Sequence, residues 1–583
     1  MNLHSRKLSD KEMLDLAMGE LDRAHADISR LLRLHKSNVS AMSSLLENIN
    51  RESGSDRPHS LEGLVVQLTS RFGGLNSITH YLAEKKYDNA FVWASAIRNR
   101  LSKDVGFVRA LRDLQIKRGE VSDALLLTHE VARQDPRINA AGIRKLEGRF
   151  REMSGWTPKI PGLKVPIDNP VQGRILHLVK ESRPYLSNGF TSRSQRNFVA
   201  EAQSGLDPVV VTEPGFPRGL VGKSFPRTEQ VDGIPHVRLD VGDIDYAGMP
   251  VDDFLQMFAQ LAYEEVVKHR PAAIHASSGR RGYETALVGL ALQEKTGLPF
   301  VYEVRSFFEA NWTSDVEWES TGETFSRRMW VEEMCMNRAD RVLTIGQAMK
   351  DELISRGIPA DKIGIIPNAV DTIAFTPRDR SQALASKHGL QDFPTFGYVS
   401  NMDHYRESQE TLIEACKILK DAGSQARCVL VGSGPRKDAL VAMAAGLGIS
   451  DRVVFTGSVD HNDIPDYYSL IDIFVVPRIP ERAATYVTPL KPFEAMALRK
   501  PIVVSDLPAL TEIVAPPERG TTFPAGDAGA LASLLMRLFD DPEECMRMAS
   551  AGLDWVTTSR TWGSNGERYV EEFGKLFEED ATK

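Results

Sequence analysis

The sequence predicts an α/β protein of two Rossmann-like lobes in tandem, preceded by an all-α N-terminal region. Three features lead there. From Arg174 onward, short apolar runs rich in β-branched residues alternate with amphipathic stretches of helical period. That alternation runs its course once and begins again near Thr395. Before Pro170 the period is helical throughout, and a Pro- and Gly-rich stretch, 156–170, separates the two regimes.

In the first lobe, residues 175–179 read as a buried strand and 187–193 as a loop holding Asn188-Gly189. An amphipathic helix at 194–203 and a strand at 209–212 follow. The series continues through strand 273–275, helix 284–296 and strands 300–304, 342–344 and 363–366. The second lobe repeats the scheme with strands at 395–399, 428–431, 453–456, 471–476 and 502–504. Unbroken apolar runs of this kind suit parallel strands covered on both faces. The expected bounds are 171–375 and 380–560, with a helix at 561–583 closing the pair. Two such lobes set their strand ends across a cleft, where open α/β sheets bind ligands.

The N-terminal region divides in two. Ser9-Asp10-Lys11-Glu12 has capping-box spacing. After it, Leu14, Leu21, Ile28, His35, Met42 and Ile49 recur every seven residues, with Ala17, Ala24, Leu31, Asn38 and Leu45 at the companion position. This heptad seam predicts a coiled coil over 1–52 and a homodimer formed through it. One long helix lying on its own protein is the alternative. A polar break at 51–60 leads to a helical module over 61–155, whose pairs at 87–100, 104–119 and 121–134 resemble tetratricopeptide hairpins.

Composition narrows the functional classes. The 583 residues allow two to four domains, and 42% hydrophobic with 26% charged residues is ordinary for a globular chain. A formal charge of -8 argues against a nucleic-acid binder that works by overall basicity. Cys335, Cys416, Cys428 and Cys545 have no metal-ligand spacing and read as reduced cytosolic thiols. No apolar run approaches the ~20 residues that span a bilayer, so membrane contact is expected to be peripheral at most.

The chemistry concentrates in residues 471–506, strand, loop, short helix and strand. Lys491 precedes Pro492, a natural first helical residue, and Glu494 falls in the first turn. Helix-start amides attract phosphate, Lys491 would neutralise a diphosphate, and Glu494 would accept bonds from ribose hydroxyls. An ordinary βαβ crossover with Glu494 compensating the helix dipole fits the same residues.

Together with ILHLVKESRPYLSNGFTSR, LPFVYEVRSFFEANW, CVLVGSGPRKDAL and VTPLKPFEAMALRKPIVVSDLPALTEIV, this stretch resembles the GT-B glycosyltransferases of the family 4 type. Its VTPLKPxEAMA and EVRxFxE variants look closest to a subgroup associated with bacterial exopolysaccharide systems. The resemblance covers 174–577. It implies transfer of a sugar, with retained anomeric configuration and without metal or other cofactor, from a nucleotide-sugar donor to a glycan or lipid-linked acceptor. Glu494 matches the family's ribose-binding glutamate. Thr488, Pro489 and Leu490 match the loop at the diphosphate, and Gly432, Ser433, Gly434 and Pro435 the loop under the nucleotide. Asn188 and Gly189 match the glycine pair near the sugar phosphate. Arg305 takes the place of a histidine facing the donor sugar, Glu309 is a further candidate contact, and Asn368 lies in the hinge turn.

Two positions depart from the family. Tyr486 stands where its first motif glutamate belongs, and Glu407 where its diphosphate lysine belongs, leaving Arg406 or Lys491 to replace that cation. These departures motivate a rival reading, a GT-B body turned non-catalytic docking platform; a nucleotide-sugar epimerase is disfavoured by the transferase motifs. Other motifs carry little. Residues 219–224, GLVGKS, lack the first P-loop glycine, Asp243-Ile244-Asp245 reads as a solvated loop, and His275, His404 and His461 lack zinc spacing.

Overall fold

A computed structural model describes residues 78, 82–88, 90–91, 94–95, 104–134, 140–222, 224–279, 282–313, 318–460 and 462–581. The coiled-coil seam of 1–52, the break at 51–60, most of 61–103 and His461 lie outside them. Two compact units are distinguished. One comprises residues up to 156 with 247–254 and 309–332; the other comprises 157–246, 255–308 and 333–583.

In the first unit, helices Val105–Lys117 and Val121–Gln134 pack on each other and a third, Ala140–Glu152, follows. Asp104 starts the first by accepting from the Phe107 amide at 2.7 Å, an N-cap the sequence supplies directly. Phe107, Val108, Leu111, Leu114, Leu127 and Val131 make the shared core. Glu323 accepts from the Ser122 amide at 2.7 Å and also from its hydroxyl, which fixes 309–332 to the second helix.

The second unit carries two sheets among the described residues. The eight-stranded sheet has the order β3-β4-β2-β1-β5-β6-β7-β8. Its strands are β1 (Val171–Val179), β2 (Asp207–Thr212), β3 (Thr228–Val231), β4 (Ile234–Arg238), β5 (Pro271–Ser277), β6 (Phe300–Glu303), β7 (Arg341–Thr344) and β8 (Ile363–Ile365). All neighbours run parallel except the β3–β4 hairpin. The six-stranded sheet, β11-β10-β9-β12-β13-β14, is wholly parallel. It comprises β9 (Thr395–Val399), β10 (Arg427–Val431), β11 (Val453–Phe455), β12 (Ile473–Val476), β13 (Ile502–Ser505) and β14 (Thr521–Phe523). The close strand packing explains Gly397: a Cβ there would meet the Val429 carbonyl oxygen at 2.1 Å.

The last helix, Trp562–Ala581, returns to the first sheet, where Tyr569, Phe573 and Leu576 join Ile175, Ala273, Val301, Leu343 and Ile366 in one core. None of the described helices is long and apolar enough to cross a membrane.

The sequence reading of 187–193 as loop is corrected. The helix begins at Gly189 and runs to Gln203, because Asn188 and Thr191 form a capping box. Asn188 accepts from the Thr191 amide at 2.9 Å, and the Thr191 hydroxyl accepts from the Asn188 amide at 2.9 Å. GLVGKS is likewise less loop-like than read, with one helical turn at Arg218–Val221.

Burial makes this sheet acid-sensitive. His236 on β4 is fully buried, with Nδ1 3.0 Å from the Ile234 carbonyl, and burial pushes its pKa from 6.5 down to about 4. As pH falls below 6.5 the unfolded chain takes up this proton first, so stability is full above 6.5 and drains away between 6.5 and 4. The expected loss is about 3 kcal/mol. Urea midpoints at pH 7.5 and 4.5 check it, and His236→Gln should show a smaller difference between the two.

Candidate active site

The candidate residues sit at the carboxyl ends of the strands. In the first lobe, Asn188 caps its helix and donates from Nδ2 to Glu181 at 2.8 Å. Arg305, two residues past β6, donates from Nη1 to the Ser194 hydroxyl at 2.7 Å, and its guanidinium lies 5.5 Å from the Phe190 ring centroid. Burial lowers the proton affinity of Arg305, aided by Arg193 and opposed by Glu303. Its Nε is buried with no hydrogen-bond partner among the described residues.

In the second lobe, helix Lys491–Ala497 has Leu490 as an N-cap without a side-chain bond. Lys491 Nζ lies 3.1 Å from Glu494 Oε2, and the Tyr468 hydroxyl donates to the same oxygen at 2.8 Å. Lys491 is 33% and Glu494 13% exposed, so both remain reachable. At seven residues this helix is short; the longer one at Gly189–Gln203 starts opposite it. A Cβ on Gly189 would lie 3.8 Å from Leu490 Cδ1. Asn368 also bridges the lobes, donating from Nδ2 to the Thr488 carbonyl at 2.7 Å, which makes it a positioning residue for this loop.

Thus Gly189, between Asn188 and the Phe190 ring that Arg305 faces, meets Leu490, which stands between Thr488 and the Lys491–Glu494 pair, and Asn368 is joined to Thr488. Arg406 stands on the turn Tyr405–Glu407, 3.7 Å from both Glu407 and Glu481. Its carbonyl accepts from the Ile479 amide at 3.2 Å, tying the turn to the loop after β12. Glu309 belongs to the other compact unit.

The loop 432–435 owes its glycines to a neighbouring loop. A Cβ on Gly432, whose φ is +133°, would meet the Ser400 carbonyl oxygen at 2.1 Å, and one on Gly434 the Met402 backbone at 2.5 Å. Ser433 accepts from the Met402 amide at 3.0 Å, while Pro435 is exposed. The small residues that were expected to admit a nucleotide therefore admit residues 400–403.

Both departures from the family have structural partners that the sequence reading did not supply. Arg478 grips Glu407 with two bonds, 3.1 Å from Nε and 2.8 Å from Nη2, and the Tyr398 hydroxyl donates to Glu407 at 2.6 Å. Burial pushes the Glu407 carboxyl up, but the Arg478 charge more than offsets it and holds it below the usual range. Glu407 is thereby an internal ion pair, and Arg478 marks where its charge is answered. Tyr486 turns to the first lobe, its ring 5.7 Å from that of Phe307 at 85°.

Two tandem α/β lobes on mainly parallel sheets, meeting where Gly189 approaches Leu490, have the architecture of the GT-B class. Residues 188–369 match the model of the glycosyl transferase 4-like domain, and 381–555 that of glycosyl transferases group 1. The chain belongs to the glycosyltransferases of GT-B fold. It is 28% identical over 238 residues to a GDP-mannose-dependent α-(1-6)-phosphatidylinositol monomannoside mannosyltransferase of Mycolicibacterium smegmatis, covering 40% of this chain and 62% of that protein. It is 26% identical to the α-D-kanosaminyltransferase of Streptomyces kanamyceticus, covering 48% and 70%. The match thus spans about three fifths of the length of the first of these relatives. Among solved structures, the sucrose-phosphate synthase of Thermosynechococcus elongatus superposes with a TM-score of 0.56 at 22% identity, over 69% of this chain and 99% of that one. Anabaena HepE in complex with UDP gives 0.53 at 18%, over 69% and 100%.

Proposed function

We propose that this protein transfers a sugar from a nucleotide-sugar donor to a glycan or lipid-linked acceptor, with retention of configuration and without a metal ion. The observation that carries the reading is the meeting of Gly189, at the start of a fifteen-residue helix, with Leu490, beside Lys491 and Glu494. A diphosphate between them would meet helix-start amides and the Lys491 ammonium, with Arg406 at the turn beside the loop that follows β12. Glu494 would accept from the ribose, and Arg305 would face the departing phosphate or the sugar. Charge developing on the leaving diphosphate would then be stabilised by fixed protein donors. The relative named for GDP-mannose and the solved neighbour in complex with UDP support a nucleotide-diphosphate ligand without choosing its base. The heptads of 1–52 support a homodimer, and the reduced cysteines a cytoplasmic location with at most peripheral membrane contact.

The Arg478–Glu407 pair favours a second reading, a body that has given up catalysis, because the place of a diphosphate cation holds an acid already neutralised. Thermal unfolding with UDP-, GDP-, ADP- and TDP-sugars decides between them. A ligand at 100 times its Kd stabilises the native state by about 2.7 kcal/mol, so at least one donor should raise the midpoint by several degrees. No shift with any of the four leaves the docking platform standing.

A further inference from the structure

The replaced family acid, Tyr486, belongs to a cluster that joins the two lobes beside the candidate site. Arg482, one turn earlier on helix Arg482–Tyr486, donates from Nη2 to Glu352 Oε1 at 2.7 Å. Glu352 lies on the first-lobe helix Gln347–Ser355 and also accepts from Arg356 Nε at 3.2 Å. Burial pushes the Glu352 carboxyl up, and the Arg482 and Arg356 guanidiniums bring it below its usual range. The Tyr486 ring lies 5.8 Å from the Arg482 guanidinium, and burial, then the Glu352 charge, raise its hydroxyl pKa. Phe307 is buried in the middle, with the Arg356 guanidinium 4.4 Å and the Arg482 guanidinium 4.9 Å from its ring centroid and the Tyr486 ring edge-on. Such contacts are stronger where water is excluded.

The connectivity gives the cluster its meaning. Phe307 is two residues from Arg305, and Tyr486 is two residues from Thr488, where the diphosphate loop starts. We propose that Arg482, Tyr486, Glu352 and Phe307 form a clasp that positions Arg305 against the Thr488–Lys491 loop. The family's first motif glutamate has been exchanged here for a residue that sets the distance between the two halves of the site. The inference rests on the transfer reading for its kinetic consequence and on contacts alone for its mechanical one. Nucleotide is held within the second lobe by Lys491 and Glu494, so it does not need the clasp. Chemistry needs Arg305 as well, and does.

Arg482→Ala and Glu352→Ala remove the ion pair without touching Arg305, Lys491 or Glu494. Hydrogen–deuterium exchange on the full chain should then quicken at least tenfold in residues 304–308 and 487–491 together. The double variant should be no worse than the worse single, since both remove one interaction. For a donor that binds the wild type, nucleoside-diphosphate affinity should stay within about threefold while kcat for transfer or for donor hydrolysis falls at least tenfold. Tyr486→Phe, which keeps the ring against Phe307, should recover most of the activity lost in Tyr486→Ala. Unchanged exchange at 304–308, or acceleration in one segment alone, overturns the clasp whether or not a donor is found. Absence of nucleotide binding in the wild type refutes the transfer reading and leaves the exchange result to decide the clasp.

Discussion

Lys491→Ala and Glu494→Ala should each lower sugar transfer about 100-fold, and by different routes. A hydrogen bond to a charged group contributes roughly 1.5–3 kcal/mol, and each 1.36 kcal/mol is tenfold in rate. Glu494 would hold ribose hydroxyls equally in the bound donor and in the transition state, so its loss should appear mainly as a higher KM. Lys491 faces the diphosphate, whose charge grows as the sugar departs, and its loss should appear mainly in kcat. Neither change should unfold the protein. With Glu494 gone, the Tyr468 hydroxyl still has the Lys491 carbonyl at 3.4 Å; with Lys491 gone, Glu494 keeps the Tyr468 bond. Steady-state kinetics of the purified variants, with the donor that stabilises the wild type, check both halves. Wild-type kcat and KM in either variant would remove the donor site from this helix.

The two substitutions lie in the part of the molecule most legible from its residues. The apolar runs that become β1, β9, β12 and β13 have no other plausible use, and VTPLKPFEAMA specifies its helix by the Pro492 signal. Less legible were features written in pairs or in single polar residues. The β3–β4 hairpin was missed although Asp232-Gly233 stands at its turn, because β3 is four residues long and only Val231 of them is buried. The helix start at Gly189 was hidden by the glycine itself, which reads as loop until the Asn188–Thr191 box is noticed. Arg478 and Glu407 are 71 positions apart, and no local pattern links them. The glycines of 432–435 were visible, but what presses against them comes from the 400–403 loop, which only the packing reveals. Motif and period thus give the scaffold and the site's location, whereas ion-pair partners are a property of the folded chain.

Arg193→Met should destabilise the α/β unit by about 3–5 kcal/mol, the cost of stranding a buried carboxylate. Arg193 is 5% and Glu303 1% exposed, with Nη1 2.7 Å from Oε1. Its Nη2 donates to the Ile366 carbonyl at 2.7 Å, just before the turn whose Asn368 holds Thr488. Burial alone would push the Glu303 carboxyl up; Arg193 first, then the His275 contact and Arg305, hold it far below the usual range. Remove Arg193 and burial regains the upper hand, so the folded-state pKa of Glu303 rises above its unfolded value. An acid shifted that way makes stability fall as pH rises through the window between the two values. The variant's deficit should therefore be larger at pH 8 than at pH 5. In Arg193→Met/Glu303→Gln no charge is stranded, and part of the lost stability should return because the two sites share one interaction. Urea midpoints for the wild type, both single variants and the double variant at the two pH values test this. A deficit independent of pH, with no recovery in the double variant, would show that Arg193 acts by packing alone and that the charge balance of the core is kept by His275 and Tyr569, which lie 3.4 and 3.1 Å from Glu303 Oε2.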